Sequence, residues 1–169
     1  MEAILTTLRR LGRSEWAAVV IGLPLFAACS STPLRPTGST IENNRGAVTG
    51  IQILEVAKGL LGTPYRYGGA TPRGFDCSGL VHYAHKEVGL SVPRSAGEQL
   101  EHARRVEISQ LRPGDLLFFQ MSRTKASHVA IYAGRGRFIH APSSGTQVSY
   151  ARLDNPFWGR RLLAAGRLY

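Results

Sequence analysis

Residues 63–81 read TPYRYGGATPRGFDCSGLV, and the break in the middle of this stretch organises everything around it. Gly68-Gly69 and Thr71-Pro72-Arg73-Gly74 are turn chemistry, so the chain between Tyr67 and Phe75 folds back on itself. Immediately afterwards the pattern changes. Leu80, Val81, Ala84 and Val88 recur at helical spacing and Gly89 ends the run, so a helix starts abruptly at Asp76 or Cys77. A cysteine in that place has two readings. The unpaired N–H groups and the dipole of a helix start favour a thiolate and lower its pKa. The other reading is a small apolar residue packed under the helix.

Working outward toward the N-terminus, Ile51, Leu54, Ala57, Leu60 and Leu61 predict an amphipathic helix over 51–61, stopped by Gly62-Thr63-Pro64. Residues 30–49 are rich in Ser, Thr, Pro, Gly and Asn without apolar period, so 29–49 reads as a flexible tether and 50–169 as the folded domain. Residues 1–28 read as a signal peptide. Arg9, Arg10 and Arg13 precede an apolar run of 11 residues at 16–26 (WAAVVIGLPLF), which is too short for a membrane span. Ala27-Ala28-Cys29 resembles a bacterial lipobox. On that reading Cys29 carries the lipid, and Ser30 after it points to the outer membrane as the address, on the periplasmic side. Only 2 cysteines are present, so acylation of Cys29 leaves Cys77 a free thiol in an oxidising compartment, which suggests chemistry.

Toward the C-terminus, Ser95 and Glu98 fit a capping box ahead of a short helix over 96–103. The period then changes to two. Strands are expected at 115–119, 128–133, 137–141, 147–150 and 162–166, with Gly134-Arg135-Gly136 a hairpin signal. Helices first and an antiparallel sheet second make an α+β pattern. The whole chain of 169 residues holds 21 Lys+Arg against 11 Asp+Glu, a formal charge of +10, which favours an anionic partner. Export and the lack of any basic-aromatic module exclude nucleic acid.

A cysteine nucleophile needs a base, and the base needs a third group to hold its tautomer. Of 5 histidines, His82 and His85 lie on the Cys77 helix but too far round or along it to reach the sulfur, so both are expected at the surface, and His102 is expected to be solvated. His128 and His140 sit on apolar strands of one hairpin, where a polar residue is costly without a partner. Two edge-strand histidines facing solvent would be the plainer explanation. Cys77 with two histidines gives three ligands and no metal-binding spacing, so no metal and no cofactor is expected.

The segment 63–81, then VPRS at 92–95, LRPGDLLF at 111–118 and HVAIYAGRGRFIHA at 128–141, resembles the NlpC family of bacterial cell-wall peptidases, and within it the Spr-type murein endopeptidases. The resemblance runs from about residue 51 to the C-terminus. It implies a papain-like α+β fold, with a nucleophile helix packed on an antiparallel sheet that carries the base. It implies Cys77 as nucleophile, His128 as general base, His140 as the residue orienting the base, and Tyr65 beside the nucleophile. Asp76 and Ser78 complete its D-C-S-G motif and Arg94 and Ser95 its P-R-S segment. These four are expected along the substrate groove, Asp76 and Ser78 also with capping and packing roles. The implied activity is cysteine-type hydrolysis of amide bonds in peptidoglycan stems or cross-links by a monomer. A murein-binding lipoprotein or an acyltransferase on the same fold is the alternative.

The hairpin poses a geometric problem. A tight turn on Arg135-Gly136 would set His140 opposite Ile131 and put the two imidazoles on opposite faces of the sheet. A working pair therefore requires a three-residue loop, a bulge, or an irregular strand start at His128.

Overall fold

A computed structural model describes residues 38–121 and 127–169, and the side chains of 45–121 and 127–169. The expected signal peptide, Cys29 and the first part of the expected tether lie outside the described residues.

The first helix, α1, runs Gly38–Gly59, so residues 38–49 are helical rather than tether. Polar composition hid this. A helix once nucleated extends by one hydrogen bond per residue, and the buried turns around Ile53, Leu54 and Ala57 supply the nucleus. The buried stripe is also rotated from the expected one, with Ile51 and Leu61 exposed. Gly50 fits the helix closely against the rest of the domain, since a Cβ there would collide with the Tyr169 hydroxyl and the Pro113 carbonyl oxygen.

Next comes a two-stranded ribbon, β1 (Ala70–Thr71) and β2 (Gly74–Phe75), made by the turn-rich loop. It delivers the chain into α2, Cys77–Glu87, which ends with Gly89 at φ 82°. Helix α3, Ala96–His102, carries both halves of the capping box between Ser95 and Glu98. The remaining elements are β3 (Arg104–Arg105), a 3₁₀ turn (Ile108–Gln110), β4 (Leu116–Phe119), β5 (His128–Gly134), β6 (Arg137–His140), β7 (Ser149–Arg152), the short helix α4 (Pro156–Gly159) and β8 (Leu162–Arg167).

Six strands form one antiparallel sheet in the order β3-β8-β4-β5-β6-β7. One face packs against α1 and α2 through Leu116, Phe118, Val129, Ile131 and Ile139. The opposite face carries Leu117, Phe119, Ala130, Phe138 and Ala165, covered in part by Trp158. Strand β4 is buried along its whole length because both faces are covered, so it reads as a continuous apolar run without alternation.

The β5–β6 hairpin resolves the register problem in its own way. It does turn tightly, with Arg135 at φ 54° and Gly136 at φ 70°, the paired left-handed residues of a two-residue hairpin loop. Gly134 faces Arg137, but Tyr132 faces Phe138 and Ile131 faces Ile139, so a bulge at Ala133 shifts the ladder by one residue. Because Phe138 faces Tyr132, His140, two residues on from Phe138, lies on the same sheet face as His128. A three-residue loop is not used.

Candidate active site

The loop and the helix start are locked together by one acid. Asp76 is the N-cap of α2, and its Oδ1 accepts the Gly79 N–H at 2.7 Å. Its Oδ2 accepts the Gly68 N–H at 3.0 Å, tying the glycine loop to the helix. Arg94 grips the same carboxylate with both arms, Nη1 to Oδ1 at 2.9 Å and Nη2 to Oδ2 at 2.7 Å. It also donates to Ser78 Oγ at 2.9 Å and to the Gly69 carbonyl at 3.2 Å. This fork-on-fork pairing fixes orientation as well as charge. Gly79 admits the loop closely, because a Cβ there would collide with the Gly69 carbonyl oxygen. Cys77 is thereby held at the first turn of α2, between the loop and the sheet.

A groove of about 550 Å³ opens over the thiol, and Tyr65, Asp76, Cys77, Ser78, Arg94 and Ser95 all line it. Asp76, Ser78 and Arg94 thus brace the groove they line, and Ser95 lines it while capping α3. Tyr65 is positioned by its N–H donating to the Thr146 carbonyl at 2.8 Å and by its bridge to Phe75. Burial, with Cys77 and Asp76 close by, raises its hydroxyl pKa, so Tyr65 keeps its proton as a donor.

The thiol differs from the expectation of a lowered pKa. Burial raises it, outweighing the backbone N–H groups of Val129, Ser78 and Cys77 that pull the other way. Half-buried Cys77 rests as a neutral thiol. That the Val129 N–H faces the sulfur sets Cys77 at the start of β5, next to His128.

His128 and His140 are both buried, and Nε2 of His128 lies 3.0 Å from Nδ1 of His140. One of these nitrogens donates and the other accepts. Burial lowers His128 to about 4, and burial together with the neighbouring His128 lowers His140 to about 3, so both rings are neutral at ordinary pH. Among the described residues no protein group bonds Nδ1 of His128, and no hydrogen bond joins either imidazole to the thiol.

Trp158 belongs to none of the motifs that mark the site in the sequence. Its ring stacks on His128 (centroids 5.4 Å, interplanar 29°) and stands edge-on to His140 (4.8 Å, 87°). Phe119 and Phe138 close the box around the pair. The signal was present in Asn155-Pro156, an N-cap followed by proline at the first helical position, which nucleates the turn that carries Trp158.

The remaining histidines divide. His102 is exposed, bonded to the Glu98 carbonyl of its own helix. His82 is half-buried, with Nδ1 on the Val92 carbonyl at 2.8 Å. His85, expected at the surface, is fully buried. It lies four residues after Val81 and so shares that buried face; its Nδ1 reaches the Val81 carbonyl at 2.8 Å while Nε2 has no partner. Among the described residues no three His, Cys, Asp or Glu side chains gather to hold a metal ion.

The sequence profile of the NlpC/P60 family matches residues 62–167, more than half of the chain. The chain belongs to the NlpC/P60 family. It is 44% identical over 113 residues to "Murein DD-endopeptidase MepH" of Escherichia coli, which covers 64% of this chain and 42% of that one. A fuller alignment is to "Probable endopeptidase NlpC homolog" of Haemophilus influenzae, 38% identical over 181 residues, covering 89% of this chain and 96% of that one. Among solved structures, an NlpC/P60 family protein from Bacillus cereus superposes with TM-score 0.67 at 33% identity, covering 70% of this chain and 40% of that one. The NlpC/P60 domain of the peptidoglycan hydrolase SagA gives TM-score 0.62 at 35% identity, covering 70% of this chain and 97% of that domain. The chain spans less than half the length of MepH. The whole of α1 precedes the NlpC/P60 match, whereas every residue from Tyr65 to His140 discussed above falls inside it.

Proposed function

We propose that this chain is a cysteine endopeptidase that hydrolyses amide bonds in the peptide stems or cross-links of peptidoglycan during wall growth or remodelling. The observation that carries the reading is the thiol at the start of α2, beside the strand on which a bulge brings two imidazoles to one face 3.0 Å apart. The names of MepH and SagA supply the substrate class.

The neutral resting pair sets the order of steps. Nδ1 of His128 takes the thiol proton as sulfur attacks the carbonyl carbon, so Nε2 of His128 must carry a hydrogen and donate it to Nδ1 of His140. The imidazolium formed is stabilised by that contact and by Trp158, whose face lies against the ring. The oxyanion is met by the Cys77 N–H and the Tyr65 hydroxyl. His128 then gives its proton to the leaving amine, and a thioester remains on Cys77. Water, deprotonated by His128, releases the new carboxylate and restores the thiol. Arg94 and Ser95 border the path of the stem peptide and Asp76 and Ser78 the helix start, which Arg94 braces through its pairing with Asp76.

The same reading has the chain exported and held by lipid on Cys29 to the outer membrane, with the catalytic domain in the periplasm acting as a monomer. Acyl mass on a peptide beginning at Cys29 tests the anchor, and an unmodified N-terminus in the soluble fraction overturns it. The decisive test of activity is digestion of purified sacculi, with products identified by mass. Wild-type protein should release or shorten stem peptides, and folded Cys77→Ala should release none. Equal product from both would remove the cysteine mechanism.

A further inference from the structure

At the opposite edge of the sheet, β3 is separated from β5 by β8 and β4. Here Arg104 stands directly opposite Arg167. Like charges facing each other across strands destabilise the pair. Arg167 is neutralised by the buried Asp115, through Nε to Oδ1 at 2.5 Å and Nη2 to Oδ2 at 2.7 Å. Asp115 has nothing left to give. It also accepts the Tyr169 hydroxyl at 3.1 Å and the Arg112 N–H at 2.8 Å, which fills the four acceptor sites of a carboxylate. Among the described residues no carboxylate lies within ion-pair distance of the Arg104 or Arg112 side chains.

Yet Arg104, Arg112 and Arg167, with Gln110 and Val106, line one cavity of about 320 Å³. Three guanidiniums against one saturated acid leave two positive charges around a space large enough for a tetrahedral oxyanion. Folding alone disfavours this arrangement, and a bound anion with more than one charge relieves it. Val106 also lines a neighbouring cavity of about 340 Å³ together with Arg105, Glu107, Ile108, Leu162 and Leu163. Ile108 and Leu163 are 50% and 47% exposed there. A cationic pocket that shares Val106 with a cavity carrying exposed Ile108 and Leu163, flanked by Arg105 and Glu107, matches an amphiphile with an anionic head.

We propose that the β3–β8 edge is a phosphate-binding site that takes the headgroup of an anionic phospholipid, with the phosphate among Arg104, Arg112 and Arg167 and the first acyl carbons along Ile108 and Leu163. The site is separate from the thiol groove and stands independently of the activity assigned to it.

Thermal unfolding of the full chain tests this, because a ligand that binds only the folded state raises the melting temperature in proportion to its occupancy. The probes are dihexanoylphosphatidylglycerol below its micelle concentration, and inorganic phosphate against chloride at equal ionic strength. The lipid should raise the melting temperature saturably and more strongly than phosphate. Arg104→Gln/Arg112→Gln, both at exposed positions, should weaken the apparent affinity for both probes at least ten-fold. Leu163→Ser should weaken only the lipid. Phosphate binding that depends on the arginines, with lipid no tighter and indifferent to Leu163, would overturn the lipid as source while keeping the phosphate site. No shift with either probe, or unaltered affinities in the double variant, would overturn the site itself.

Discussion

His128 and His140 illustrate how burial sets the chemistry of single residues. Both rings are held well below the ordinary imidazole range, to about 4 and about 3, while burial lifts the Cys77 thiol above its own. The competent form is therefore thiol plus neutral imidazole. It is lost by protonation of His128 as pH falls through about 4 and by ionisation of the thiol at alkaline pH. Initial rates on sacculi should be level through neutrality between those limbs. Iodoacetamide should alkylate Cys77 slowly at pH 6, and rapid complete alkylation there would mean a resting thiolate. His128→Ala should lower kcat by about 10²–10⁴-fold, whereas His140→Asn, which still offers a hydrogen-bond partner, should retain measurable turnover and His140→Ala much less. His85 carries a different consequence. Its folded pKa of about 4 lies below its ordinary 6.5, so between those values the unfolded chain binds more protons and stability rises with pH. Acidification from pH 6.5 to 4 should cost up to about 3 kcal/mol from this one group. His85→Leu should flatten that share of the acid limb in urea melts at a series of pH values. An unchanged limb would mean that His85 is not the group being protonated.

Elements differ in how legible they were from sequence. Helix α2 was readable because turn residues, an Asp N-cap and an apolar stripe agree, and α3 because its capping box spans four residues. Register was not readable. The tight turn at Arg135-Gly136 is signalled by its residues, but the bulge at Ala133 depends on packing of β5 and β6 against both layers, which no local pattern records. Trp158 escaped for a related reason, since its role exists only where α4 folds back over the sheet. Both features lead to tests. Deleting Ala133 should remove only the extra residue and leave Gly134 and Tyr132 facing Arg137 and Phe138 in a regular ladder, so His128 and His140 stay on one face and cleavage should persist. Loss of cleavage in the folded deletion variant would mean that the bulge itself, and not only the face it selects, positions the imidazoles. Trp158→Ala removes the stacked face from His128 and lets water reach it. It should raise the midpoint of the acid limb in the rate profile toward the ordinary histidine value, with kcat falling more than KM rises. Trp158→Phe should restore part of both, and a loss of stability with an unmoved pH profile would reduce Trp158 to a packing role.

The described domain is closed where α1 meets the segment after β8. The C-terminal Tyr169 reaches across to Pro113 and Asp115, and its ring and hydroxyl lie against the backbone of α1 at Gly50. Helix α1 in turn shares a core with α2 and β5, through Ile53 and Ala57 against Leu80, Val81 and Val129. The position of Cys77 relative to His128 is therefore held partly by a helix whose first turns resembled a linker in sequence. Two glycines of that helix separate closure from simple helix propensity. A Cβ on Gly46 would meet only the Tyr169 ring, at 3.9 Å, an ordinary contact. Gly46→Ala should therefore stabilise the domain by up to about 1 kcal/mol through helix propensity alone. At Gly50 the same substitution meets both Tyr169 and the Pro113 carbonyl, and the carbonyl belongs to the backbone and cannot swing aside. Gly50→Ala should reverse the sign, costing about 1–3 kcal/mol as α1 is pushed off the turn at 113–114. Adding Tyr169→Phe should recover only part of that loss, because the carbonyl clash remains. Urea unfolding of the four proteins decides it: equal stabilisation by both alanines would mean that α1 does not pack on Tyr169 and Pro113, and that the domain is closed without its first helix.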